Sequence, residues 1–486
     1  MEPDGRGLRQ GGPVPPARDR RGAARTHRGG AGRRRRGTVS ERVLEGLLDA
    51  VHRRAEGGDA LWRREERTSL AFEAGRLKTA GVTEEAGMNL RVVQGGRVGV
   101  AGTTAADARP EDLLARALAS AELGETLAVA FPGKVPLPHI ATHVDHVANA
   151  TLDDLTRMGR ALVQQLSRDG CQVNISIERE VSETRVLNTA GAAASYQATA
   201  IAVTAGLVRF AGDDVLMVYD QSVGADLPNE ADLNALVTSI QARLEFALRI
   251  ATPPEGALPV IFTPGGLTAI LLPLEMSLSG KAVVQGTSKL AGNVGEQIFD
   301  PRLSLTDDPL VPGRASSRPC DDEGVPSRTL PLIERGIVRG FVYDLETAAR
   351  AGTASTGHGR RGVFGKPHID YSNLVLGTRD GEAGGGRGGA SAFAGGLLDG
   401  IADGLVVDDL IGVGQGNVIG GAFSHPVALA YRVQHGEITG RVKDAAVAGN
   451  VYGLLKRIGG LGNDGRWWGS RWAPSLLLEG VSVARR

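Results

Sequence analysis

The chain runs to 486 residues, with 69 glycines, 4% aromatic residues, and 55 Lys+Arg against 55 Asp+Glu. That length sets a prior of about two to three domains with ample chain for large cores, and a glycine share about twice the average suits tight turns and strands and excludes a coiled coil. Eleven arginines against three acids in residues 1–37 give that segment a net +8 and leave −8 on the remainder, so the body carries no global basic field for nucleic acid.

Cys171 and Cys320 are the only cysteines, too few for a disulfide framework. The longest apolar run, residues 266–278, is interrupted by Pro273 and Glu275, so no membrane span is expected. The N-terminus lacks the apolar core of a secretory signal. The expectation is a soluble cytoplasmic protein.

Residues 1–39 read as a disordered Arg/Gly-rich tail, because 1–37 is largely Gly, Pro, Ala and Arg and has little apolar surface to bury. A solvated tail is the default over a basic nucleic-acid arm or a transit peptide, and translation is expected to start near Val39. Ser40 can cap a helix whose apolar face is Val43, Leu44, Leu47, Leu48 and Val51. Strands are predicted at 68–72, 87–93 and 98–101, with turns at 73–78 and 94–97. Pro110 opens a second helix through Leu113, Leu114, Ala117, Leu118 and Ala121. Residues 127–149 form a connector carrying His139, His143 and His146. On a helix these three would share a face and could hold a metal ion. Pro136, Pro138 and β-branched neighbours argue for a solvated connector instead. Thr151 starts a helix with Leu155, Met158, Leu162 and Leu166 inward; strands at 173–180, 184–187 and 194–208 follow. Leu233, Leu236, Ile240, Leu244 and Leu248 mark the helix that closes this half.

Pro253-Pro254-Glu-Gly is the best boundary in the chain. The resulting division is an N-terminal α+β domain at 40–253, built of two parts at about 40–126 and 150–253, and a β-rich domain at 254–486. The second domain opens with a strand at 258–262 and a helix at 267–278, apolar nearly all round and so expected to be buried, with a kink or break at Pro273. Asp321-Asp-Glu-Gly packs three carboxylates in a row against a glycine. It is followed by a hairpin with Arg335-Gly336 at its turn. Such a cluster either belongs to a functional site or is a loop whose acids cap amides or pair with Arg314, Arg318 and Arg328. Thr356-Gly-His-Gly-Arg-Arg361 is a basic glycine-rich loop that either meets a carboxylate or a peptide backbone, or is a turn with solvated arginines. Residues 381–396 are of low complexity. Gly412-Val-Gly-Gln-Gly416 lacks the sixth-position glycine of a dinucleotide fingerprint. A second hairpin spans 430–442 with its turn at His435-Gly436, a last helix is predicted over 444–458 and a last strand over 475–483.

None of the nine histidines is followed by Glu, and no G-x-S-x-G elbow, P-loop or Cys-x-x-Cys occurs. From the residues alone this is a two-domain α+β protein with no visible chemistry. The ordered stretches nonetheless resemble the TldD/PmbA family of metallopeptidases, once described as modulators of DNA gyrase. The marks are Phe72-Glu-Ala-Gly-Arg-Leu-Lys, residues 87–93 with Gly96-Arg-Val-Gly, Leu187-Asn-Thr-Ala-Gly, 280–288, Asp321-Asp-Glu-Gly, the hairpin 332–341, Ser355-Thr-Gly, Gly436-Glu-Ile, Ala448-Gly-Asn and Gly462-Asn-Asp. Each is short, but their shared order over some 400 residues is specific.

The resemblance implies that TldD-type members carry HExxxH and a later Cys as zinc ligands. Counting back from Gly286-Thr-Ser, those positions hold Leu271, Leu272 and Met276, and the Cys position falls near Gly469-Ser470. This implies the PmbA, or TldE, type: no catalytic residue and no metal or other cofactor in this chain, and a heterodimer whose TldD-like subunit bears the zinc and cleaves unfolded peptides in an enclosed chamber. Neither a membrane nor nucleic acid is an expected partner. Exposed strand edges would bind an extended peptide by main-chain pairing. The candidate interface or substrate-groove residues are Asp321, Asp322, Glu323, Gly324, Gly357, Arg360, Arg361, Gly449 and Asn450. The alternatives are a regulatory binding protein, or an independent hydrolase centred on the three histidines or on Asp321 with Asp322.

Overall fold

In the first half, alternating apolar positions build very long antiparallel strands. The computed structural model describes residues 39–105, 107–377 and 393–486, so the N-terminal tail and most of the 381–396 segment lie outside the described residues. Helix α1 (Val39–Arg54) is followed by β1 (Gly57–Glu73), β2 (Arg76–Gln94), β3 (Arg97–Thr103) and α2 (Pro110–Glu122). After a one-turn α3 (Asp145–Ala148) the same order repeats: α4 (Leu152–Leu166), β4 (Cys171–Asn188), β5 (Ala193–Ala211), β6 (Asp214–Gly224) and α5 (Glu230–Leu248). Pairing of β1 with β4 joins the two sets into one antiparallel sheet ordered β3-β2-β1-β4-β5-β6. Each set has its own core. Leu44, Leu47 and Val51 of α1 and Leu113, Leu114 and Ala117 of α2 pack with Leu90 and Val92. Leu155, Leu162 and Leu166 of α4 and Ile240 and Leu244 of α5 pack with Ile175, Ile177 and Val203.

Sequence periodicity shortens these strands. β1 and β2 run 17 and 19 residues, where only 68–72 and 87–93 are apolar enough to show. Residues 76–85 of β2 are all exposed and pair with β1 alone, at the free edge of the sheet, so no buried face imposes an alternation there. The predicted strands 173–180 and 184–187 are one element, and β6 was not anticipated. Both residues of the turn at 95–96 take positive φ, 56° and 66°, which glycine adopts without strain.

The second half contains β7 (Ile250–Ala251), β8 (Gly256–Phe262), α6 (Thr268–Ser277), α7 (Gly280–Val284), β9 (Leu305–Asp307), β10 (Leu330–Glu334), β11 (Ile337–Val338) and α8 (Leu345–Ala351). Then come β12 (Gly359–Arg360), β13 (His368–Ile369), β14 (Leu374–Leu376), β15 (Asp403–Leu410), β16 (Ala422–Gln434), β17 (Glu437–Val442), β18 (Ala445–Asn450) and α9 (Val451–Leu454). The chain ends with β19 (Ile458–Leu461), β20 (Arg466–Trp468), β21 (Arg471–Ala473) and β22 (Leu476–Arg485). Strands β15, β8, β22, β18 and β16 pair in that order, and a further β15–β16 pairing closes the ring. A second sheet is ordered β11-β10-β9-β14-β21-β20. The fold is α+β.

Three expectations change here. Residues 445–450 form strand β18, paired with β16 and β22, and only a single turn of helix follows. Small residues let this stretch read as helix, but Ala445 and Val447 point into the core at period two. Helix α6 continues through Pro273 without a break. It is also not buried all round: Ile270, Leu271 and Leu274 are in the core, Leu272 and Glu275 are half-buried, and Met276 is 41% exposed.

Candidate functional site

The three carboxylates of the acidic turn are all fully buried, at 0% exposure. Gly324 turns the chain at φ 81°. Asp321 accepts from its own turn, from Glu323 N at 3.0 Å and Val325 N at 2.8 Å, and from Gly359 N at 2.9 Å. Asp322 accepts from Arg63 Nη2 at 2.6 Å, Arg361 N at 3.0 Å and Arg360 Nη1 at 3.4 Å. Glu323 accepts from Arg91 Nη1 at 2.6 Å and from Leu345 N, in the first turn of α8, at 2.7 Å. Arg91 also grips Asp59 with two bonds of 3.1 and 2.7 Å, and Asp59 accepts from Arg361 Nη1 at 3.0 Å.

The two loops singled out in the sequence therefore meet, and β1 and β2 of the first sheet meet them. Four carboxylates (Asp59, Asp321, Asp322, Glu323) face four guanidinium groups (Arg63, Arg91, Arg360, Arg361). Buried charges persist only when paired and hydrogen-bonded. Gly357 holds φ 82°, and a Cβ on Gly359 would strike the Glu323 carboxylate, so the basic loop must be glycine-rich to lie this close. Burial would raise the pKa of Asp322, but Arg360 and Arg63 overcome it and hold the carboxyl at about 2. Burial likewise opposes ionisation of Asp59, and Arg361 and Arg91 keep it below the usual carboxylate range. Asp321, held by amides rather than by a bonded arginine, is pushed up by burial, and so is Glu323 despite Arg91.

Buried acids cannot form a substrate groove or a subunit surface themselves. The structure makes Asp321–Glu323 a clamp between the two halves of the chain, with the half-buried Arg360 at its rim. The arginines bonded to them are Arg63, Arg91, Arg360 and Arg361. Sequence reading missed Asp59, Arg63 and Arg91. The signal was present as charged residues alternating with core positions, as in Leu90-Arg91-Val92.

Gly449 and Asn450 lie elsewhere, beside α6. Asn450 caps α9 by accepting from Gly453 N at 3.2 Å. The next turn's Tyr452 hydroxyl donates to Pro273 O of α6 at 3.1 Å and lies 2.5 Å from Ser277 Oγ. Along α6, Leu271 is buried, and Glu275 is bound by both Nε and Nη2 of Arg471, at 2.6 and 2.8 Å. The Tyr371 hydroxyl donates to Glu275 O at 2.6 Å. The turn at 469–470 thus delivers Arg471 onto the helix that carries Leu271, Leu272 and Met276. One thioether, and one carboxylate with both oxygens taken by a guanidinium, do not fit a zinc ion.

His139, His143 and His146 do not gather. His139 is exposed, His143 Nε2 is 3.3 Å from Asp145 and His146 Nε2 is 2.5 Å from Asp226. Among the described residues no group of three or more His, Cys, Asp or Glu is arranged to hold a metal. Ser372, Asp307 and His358 are buried together, but the Asp lies between the other two: Ser372 Oγ donates to Asp307, and His358 Nε2 is 3.0 Å from the same oxygen. The His is not placed to deprotonate the Ser, so this is a structural network.

Comparison with known proteins follows the same outline. The family model described as "PmbA/TldA metallopeptidase C-terminal domain" matches residues 255–485, and that described as "PmbA/TldA metallopeptidase domain 1" matches 58–121. A metalloprotease of Methanothermobacter thermautotrophicus is 25% identical over 87% of this chain and 91% of its own length. The metalloprotease TldD homolog of Haemophilus influenzae is 24% identical over 86% and 88%. The crystal structure of TldE from Thermococcus kodakarensis superposes with a TM-score of 0.80 at 25% identity, covering 91% of this chain and 100% of that one. A protein of Thermotoga maritima described as a modulator of a DNA gyrase shares the fold, with a TM-score of 0.81 at 24% identity over 92% and 100%.

Proposed function

Because the chain belongs to the PmbA/TldD family, we propose that it is the non-catalytic, TldE-like subunit of a TldD/TldE-type metallopeptidase complex acting on unfolded peptides. The observation that carries this reading is the Glu275–Arg471 ion pair on α6. It lies on the helix where the family resemblance puts two zinc ligands and a catalytic Glu, and where this chain has Leu271, Leu272 and Met276. A cation fixed there disfavours a second cation in the same place. The likeness to TldE of Thermococcus kodakarensis supports the same type. In this reading zinc and its ligands belong to a TldD-like partner, and this chain supplies shape, substrate groove and stability. The arginine–carboxylate clamp keeps its two halves in one fixed relation.

The reading is tested by co-expressing the chain with a TldD-like protein that carries HExxxH. The expected result is a stable complex with both chains in equal amounts on size-exclusion chromatography. Two chains that elute separately at micromolar concentration contradict it.

A further inference from the structure

A small cleft of about 70 Å³ lies where β4 and β5 of the first sheet face residues 315–318. Arg63, Arg318 and Arg360 line it, with the Tyr196 ring and Glu65 and Glu180 on the opposing strands. Arg63 and Arg360 have a carboxylate partner in Asp322. Arg318 has none. It is 4% exposed, its Nε has no hydrogen-bond partner, and its one bond is a long one of 3.4 Å from Nη2 to Asp370 O. Among the described residues no carboxylate lies within ion-pair distance of it.

An arginine stays protonated in any protein environment, and a buried cation without a counter-ion is strongly unfavourable. Asp322 and Asp321 of the clamp act favourably on Arg318, but neither forms an ion pair or a hydrogen bond with it. The like charge of Arg360 opposes its ionisation more strongly than either carboxylate favours it. The charge balance of the cleft also defines what would satisfy it. Arg63, Arg318 and Arg360 bring three positive charges; Asp322 and Glu65, which is 3.7 Å from Arg63, bring two negative ones. Glu180 is bonded by Arg67 at 2.9 Å. Asp321 acts on Arg318 only at longer range and is itself bonded to amides, so Arg318 is the lining cation without a carboxylate bonded to it.

We propose that this cleft is a binding site for a monoanionic carboxylate, held by the forked donors of Arg318 with the rim residue Arg360. Planar two-oxygen anions match a guanidinium fork. The volume admits a carboxylate and a short stem, not a nucleotide. The two glutamates in the lining disfavour a dianion such as phosphate. The carboxylate is either the free C-terminus of a peptide or a small carboxylic acid. The site does not depend on the subunit reading, and its test uses this chain alone.

The test is calorimetric titration of the full chain at fixed ionic strength with four probes: acetate, N-acetyl-Ala-Ala with a free carboxylate, the same dipeptide as its amide, and inorganic phosphate. Acetate or the free dipeptide should bind, and the amide should not. Phosphate should bind at least threefold more weakly than acetate. Tighter binding of the dipeptide than of acetate identifies a peptide terminus, and equal binding identifies a small acid. Arg318→Met should weaken carboxylate binding at least tenfold, and without ligand should melt no lower than the parent, since it removes an uncompensated charge. The parent titration decides the matter should that variant fail to fold. Absence of carboxylate binding by the parent, equal affinity for acetate and phosphate, or undiminished binding by a folded Arg318→Met overturns the proposal.

Discussion

At the scale of single residues, the protein is held by arginines. Arg91 is the centre of the clamp, since it alone bonds both Asp59 and Glu323. Replacing it by Met leaves two buried carboxylates short of a cation. The expected loss is about 3–5 kcal/mol of stability, measured by chemical denaturation. Asp59→Ala and Arg361→Ala should each destabilise too, and the double variant should lose less than the sum, because Arg361 Nη1 bonds Asp59 Oδ1 directly. An additive result would show the two positions to be independent.

The pH dependence of stability has two opposing parts. The folded pKa of Asp322, about 2, lies below its ordinary 3.8, and that of Asp59 is lowered as well. Their contribution is present above about pH 4 and is lost as pH falls from there towards 2. The folded pKa values of Asp321 and Glu323 are raised by burial above their ordinary 3.8 and 4.5. Their contribution is full below those ordinary values and is lost as pH rises through the folded ones. Melting temperature should therefore climb from pH 2 to about 4 and decline on the way to neutrality. Glu323→Gln should flatten the decline. A melting temperature that rises steadily from pH 5 to 8 in the parent would contradict this assignment.

At the scale of elements, close packing is set by small residues at particular places. Helix α4 rests on β1 through Gly159, where a Cβ would strike the ring of Phe72. Gly159→Ala should cost about 1–3 kcal/mol by overpacking, even though alanine is the better helix former. An equal or higher melting temperature would show that the ring has room to move. The same helix was legible in the sequence because Thr151 and Asp154 form a capping box and Leu155, Leu162 and Leu166 keep one face. Both second-half hairpins were legible too, since Arg335-Gly336 and His435-Gly436 take positive φ at both turn positions. Elements that failed to show lacked a single buried face. The exposed edge of β2 carries no pattern, and β18 is made of small residues that suit either helix or strand until its neighbours are known.

For the whole molecule, the family was legible from the order of many short motifs, whereas the clamp was only half so. The acidic turn and the basic loop stand out locally, but their partners on β1 and β2 come from about 230 to 300 residues away, and no local pattern announces a contact of that range. Burial was not legible either: three adjacent acids read as a surface until four arginines are seen around them. The account's central claim is that this chain assists a zinc peptidase without being one. It is tested most directly by measuring zinc content and cleavage of an unfolded peptide for the chain alone, for its complex with an HExxxH-bearing partner, and for the complex with that partner's Glu changed to Gln. The account predicts no bound zinc and no cleavage by the chain alone, cleavage by the complex, and loss of cleavage in the Gln complex. One zinc per chain with peptide cleavage by the isolated protein would contradict it.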